Sequence, residues 1–92
     1  MMKLPAELYH KIYDILEEHT GALPWHRDDF VEYFVTDPDA TEYRCCDKLG
    51  FGGKFWNNAG KLYISCYEED LTDERYTIIE TVNGMLQSML VS

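Results

Sequence analysis

No run of apolar residues in this chain approaches the roughly 20 that a helix needs to cross a bilayer. No basic stretch followed by an apolar segment and a small-residue cleavage site marks a secretory leader. The expectation is a soluble intracellular protein that does not act at a membrane. Cysteine is scarce: Cys45, Cys46 and Cys66 are the three, an odd number that builds no disulfide framework and suits a reducing compartment. Metal-ligand spacing is missing as well. There is no Cys-x-x-Cys, and if Cys45 and Cys46 lie on a strand they point to opposite faces, so they do not share one ion with His10, His19 or His26. Buried thiols acting as small apolar side chains explain these cysteines better, with no metal and no cofactor expected. Nothing in the sequence orients a histidine toward a thiol or lowers a thiol pKa; Cys46 is the candidate if any cysteine is reactive.

Catalytic signatures are missing too. Gly50, Gly52 and Gly53 precede Lys54, but a Walker loop needs glycine where Lys48 stands and Ser or Thr where Phe55 stands. Phe55 also occupies the place of the third glycine of a dinucleotide fingerprint. These glycines therefore serve the backbone, allowing a strand to bulge, twist or be approached closely. A chain of 92 residues makes a single domain, spanning 1–92, with a modest core and little room for a deep enclosed active site. The expectation is a protein that is not an enzyme.

Basic residues are the last shortage. Eight Lys and Arg stand against 17 Asp and Glu, a net charge of −9. The imbalance is placed unevenly: residues 1–40 carry −6, residues 41–67 carry +2 and residues 68–92 carry −5. Attraction of the whole molecule to phosphate is disfavoured, and a basic protein surface is the more natural partner for the acidic ends.

What is present begins with a hairpin. Residues 50–67 alternate so that Phe51, Phe55, Leu62, Ile64 and Cys66 fall on one face and Lys54, Trp56, Lys61, Tyr63, Ser65 and Tyr67 on the other. With Asn57 to Gly60 as a four-residue loop, Trp56 pairs with Lys61 and Phe55 with Leu62. The first face is a core, and the second sets lysines among aromatic rings as a recognition surface would. Residues 41–48 supply a third strand.

Helices flank this sheet. Pro5 to Thr20 repeats Leu8, Ile12, Ile15 and Leu16 at helical spacing, with Pro at the start and Gly21 as the stop. Thr72 is an N-cap followed by Asp73 and Glu74, where the helix dipole favours negative charge. From there Ile78, Ile79, Val82, Met85, Leu86, Met89 and Leu90 form one stripe, and Gly84 within it predicts close packing or a bend. Residues 27–35 allow a helix or a strand; Asp28 and Asp29 favour the helix start, and the run of β-formers favours pairing with 41–48. Stacking both terminal helices on the apolar side of the sheet buries all three stripes. The predicted fold class is therefore α+β, a three-stranded antiparallel sheet with N- and C-terminal helices packed on one face.

The candidate binding residues form two groups. Glu68, Glu69, Asp70, Asp73 and Glu74 crowd the link between the last strand and the last helix. They form a solvated acidic patch suited to lysines and arginines on a partner, and an unsuitable setting for a general acid of raised pKa. An EF-hand spacing is absent from them. Lys54, Trp56, Lys61, Tyr63 and Tyr67 form the second group, which predicts docking on a protein, on a second copy of the chain as a homodimer, or on single-stranded nucleic acid by stacking and phosphate contact.

Glu42-Tyr43-Arg44, then Lys48-Leu49-Gly50-Phe51-Gly52-Gly53-Lys54-Phe55-Trp56, then Tyr63-Ile64-Ser65-Cys66-Tyr67-Glu68-Glu69-Asp70-Leu71-Thr72 carry a family likeness. This pattern resembles small proteins encoded by bacteriophages and prophages, across about residues 42–86. Those proteins have Glu-Tyr-Arg-Phe, whereas Cys45 follows Arg44 here, and the first 40 residues carry no likeness. The resemblance implies phage origin and a bacterial host cytoplasm, and it transfers no catalytic residue. Together with the acidity it leads to the expectation of an inhibitor, anti-CRISPR-like or DNA-mimic-like, that binds a host nucleic-acid-handling complex with a basic surface. The alternative is a single-strand-binding module using the aromatic-lysine face, which the acidic ends disfavour; a small enzyme is a third reading.

Overall fold

The structure, a computed structural model, describes residues 4–21, 23, 25–37, 39–45, 53–58 and 61–90, with Arg44 and Cys45 described as backbone alone. In chain order it contains α1 (Ala6–Thr20), α2 (Arg27–Thr36), β1 (Glu42–Cys45), β2 (Gly53–Asn58), β3 (Lys61–Cys66), a short 3-10 turn (Glu68–Asp70) and α3 (Asp73–Ser88). The three strands form one antiparallel sheet in the order β1-β2-β3. This is the α+β architecture that the sequence pattern predicts, with helices at both ends.

Local chemistry sets the helix limits. Pro5, extended at φ −71° and ψ 154°, precedes α1, and Gly21 ends it at φ 91°, a left-handed value that glycine takes without steric cost, with its N–H on the Glu17 carbonyl. Thr72 caps α3 by accepting from the Arg75 N–H at 3.2 Å. The ambiguous 27–35 run is helical, because a strand would remove Phe30, Val31 and Phe34 from the helix face that buries them.

The hairpin register differs from the expected one. β2 and β3 pair Asn58 with Lys61, Asn57 with Leu62, Trp56 with Tyr63 and Phe55 with Ile64, so β2 runs two residues further than a loop at Asn57–Gly60 allows. The extension is held by Asn57, whose N–H donates to the Thr41 carbonyl at 2.7 Å and whose Nδ2 donates to the Tyr9 hydroxyl at 2.9 Å. A shift of two leaves every side chain on its expected face. Phe55, Leu62 and Ile64 are buried, as the alternation requires. Phe51, Cys46, Gly50 and Gly52, together with the expected continuation of the first strand to residue 48, lie outside the described residues.

The core is more aromatic than the helix stripes suggest. α1 buries Tyr9, Ile12, Tyr13 and Leu16, while Leu8 and Ile15 flank this face half-buried. Phe30 sits at the centre, with ring centroids 4.8 Å from Tyr43, 5.1 Å from Phe34, 5.5 Å from Tyr13 and 5.8 Å from Phe55. α2 thus covers the apolar side of β1 and β2. α3 lies along β3, where Val82 and Leu86 complete the core. Gly84 has no close neighbour: a Cβ built there finds nothing within 4 Å. The expected close packing is absent because Gly84 is on the exposed side of α3.

Candidate protein-binding surface

The end of β3 leads directly into the acidic turn. Tyr67 precedes Glu68–Asp70, and two further residues reach the start of α3. The guanidinium of Arg75 donates through Nη1 to the Asp70 carbonyl at 2.6 Å, and the Arg75 N–H donates to Thr72 Oγ1. One residue therefore fastens the turn to the first turn of the helix. Glu68, Glu69, Asp73 and Glu74 are exposed and Asp70 is half-buried, so the carboxylates share one end of the molecule on a braced backbone. Further along α3, the Tyr76 phenol is raised above its usual value of 10.0, first by its hydrogen bond to Glu80 and then by the charge of that carboxylate. The helix continues the negative field of the turn.

The sheet face opposite the core carries Lys54, Trp56, Tyr63 and Ser65, with Lys61 at its margin. Trp56 and Tyr63 are direct cross-strand partners, stacked at 6.0 Å between centroids and 18° between planes. The indole N–H of Trp56 donates to Ser65 Oγ at 2.9 Å, and Lys54 Nζ lies 5.5 Å from the indole centroid. The same ammonium is 3.2 Å from Glu42 Oε1 on the neighbouring strand. Lys54, Trp56 and Tyr63 are consequently half-buried, less open than a free recognition face requires, whereas Lys61 is exposed. Their cover comes from one another: α2 packs against the other side of the sheet. Tyr67, extended at φ −66° and ψ 144° directly after β3, is 62 % exposed.

The two groups of residues stand in different surroundings. Four of the five carboxylates are exposed around the turn, and on the sheet face the Lys54 ammonium and the Trp56 indole N–H are already engaged. Glu42 and Ser65 are the partners that complete this engagement. Ser65 was placed on the face by alternation, but Glu42 is recognisable only once β1 is paired with β2. Among the described residues no group of three or more His, Cys, Asp or Glu side chains is gathered as a metal site, and no helix is long and apolar enough to cross a membrane. Comparison with protein-family models, curated proteins and solved structures gives no match.

Proposed function

We propose that the protein is a non-enzymatic, phage-derived binding protein that engages a basic surface of a host nucleic-acid-handling complex in the bacterial cytoplasm and inhibits it, in the manner of anti-CRISPR proteins and DNA mimics. The observation that carries this reading is the braced acidic end. Glu68, Glu69, Asp73 and Glu74 stand exposed around a turn that Arg75 fixes, on a molecule of net charge −9. Carboxylates held in this way occupy positions where a partner accepts phosphates, and they speed encounter with a basic surface.

The single-strand alternative has less support. Base stacking needs aromatic faces and lysines available to the ligand, whereas Trp56 is stacked on Tyr63 and Lys54 faces Glu42. The functional reading is tested by capture from a nuclease-treated bacterial lysate, with mass spectrometry of what is retained. Recovery of a nuclease or surveillance complex that survives nuclease treatment is expected. Recovery of nucleic acid alone before that treatment, and of nothing after it, would overturn the reading.

A further inference from the structure

A second aromatic site lies at the junction of α2 and β1. Asp29 and Tyr33 are one turn apart on α2 and share a flank beside the one that buries Phe30 and Phe34. β1 sets Glu42 and Tyr43 next to them, and the Tyr33 hydroxyl donates to the Glu42 carbonyl at 3.3 Å. Trp25 closes the other side, its carbonyl accepting from the Tyr13 hydroxyl at 2.5 Å. Tyr43 is buried and forms the floor. Trp25 and Tyr33 meet it edge-on, at 6.1 and 5.6 Å between centroids and 62° and 61° between planes. These residues line a groove of about 370 Å³. At 54 % and 41 % exposed, Trp25 and Tyr33 are open to an incoming group.

The lining selects the ligand's charge. Aromatic faces attract cations lying within about 6 Å of the ring; Asp29 adds a carboxylate to the groove and Glu42 its backbone carbonyl, the Glu42 carboxylate being held by Lys54 on the other face of the sheet. An anion would be repelled by the Asp29 carboxylate, and a neutral apolar group would strip water from it without pairing it. Among cations, a guanidinium is planar and weakly hydrated, so it stacks on a ring while its edge donates to carboxylates. A primary ammonium is a strongly hydrated point charge and does this less well. The net charge of −9 favours the approach of such a group.

We propose that this groove binds the guanidinium of an arginine side chain presented by a partner protein, against the rings of Trp25 and Tyr33, paired with the Asp29 carboxylate and donating to the Glu42 carbonyl. The proposal deepens the protein-binding reading and rests on it for the existence of a partner, but the site is testable without one. The intact chain, labelled with nitrogen-15, is titrated with a blocked Gly-Arg-Gly peptide, with the same peptide carrying lysine or citrulline in place of arginine, and with tetramethylammonium. The indole signal of Trp25 is followed, and that of Trp56 on the opposite sheet face is the internal reference.

A saturable shift of Trp25, with Trp56 unmoved, is expected for the arginine peptide, with at least about fivefold weaker binding of lysine and none of citrulline. Asp29→Asn removes the charged acceptor from an exposed position and should weaken arginine binding about fivefold, with the dispersion of the other amide signals showing that the fold is retained. Equal shifts with citrulline, tighter binding of lysine or tetramethylammonium, wild-type affinity in Asp29→Asn, or a Trp25 signal that never moves would each overturn the proposal. A titration that succeeds where lysate capture recovers no complex would separate the site from the inhibitor reading.

Discussion

Tyr9 and Asn57 are 48 positions apart and meet inside the core, where Asn57 Nδ2 donates to the Tyr9 hydroxyl. Removing that oxygen with Tyr9→Phe deletes a buried hydrogen bond, which should cost about 0.5–1.5 kcal/mol in a urea titration at neutral pH. The same tyrosine makes the fold sensitive to alkali. Burial raises its pKa above 10.0, so the neutral phenol is favoured in the folded state. Its contribution is complete below the unfolded value and is lost as pH rises through the raised one. The wild type should therefore lose stability more steeply than Tyr9→Phe above pH 10.0. Parallel slopes in the two proteins would show that Tyr9 is not the titrating group.

α3 does more at the element scale than cover the core. The side-chain amide of Asn83 accepts from the Ile64 N–H at 2.7 Å and donates to the Ile64 carbonyl at 3.1 Å, while Gln87 Nε2 donates to the Leu62 carbonyl at 2.7 Å. Two helix side chains thus occupy the open edge of β3 as a further strand would, which protects it from pairing with another chain. Asn83→Ala should cost about 1–3 kcal/mol. It should also speed hydrogen exchange at the Ile64 amide and promote association, both readable by NMR and light scattering. Gly84 next to it offers the opposite result: an added Cβ meets nothing within 4 Å, so Gly84→Ala should stabilise the protein by about 0.5–1 kcal/mol in thermal or urea unfolding.

These elements also show what could be read from the sequence. Thr72, Pro5 and Gly21 mark helix limits because capping is local chemistry, and the faces of β2 and β3 follow from a period of two. The edge role of Asn83 was hidden because its partner lies 19 positions away. The hairpin register was hidden for the same kind of reason: Asn57 resembles a loop residue until Tyr9 and Thr41 are brought to it. The central part of the core was underestimated because tyrosine is amphipathic, and only packing around Phe30 places Tyr9, Tyr13 and Tyr43 inside. Of the two candidate binding groups, Glu68, Glu69, Asp73 and Glu74 are exposed, whereas Asp70 is half-buried. The mutual burial of Lys54, Trp56 and Tyr63 depends on cross-strand contacts that linear spacing does not reveal.

At the scale of the whole molecule, the account turns on charge. Basic residues are concentrated between two acidic ends of the chain, and Lys54 faces Glu42 rather than a free surface. The net field should therefore draw in cationic partners and repel phosphate. Replacing Glu68, Glu69, Asp70, Asp73 and Glu74 by their amides removes five negative charges from that field. Loss of the favourable charges at the start of α3 should cost only tenths of a kcal/mol, so the fold is retained. The most direct measurement is the association rate of the captured partner with the wild type and with this amide variant across a range of ionic strength. The wild type should bind fast at low salt and slow steeply as salt rises, and the variant should bind more slowly with a nearly flat dependence. Equal rates for the two proteins at low and high salt would contradict the account and leave the carboxylates a role in solubility alone.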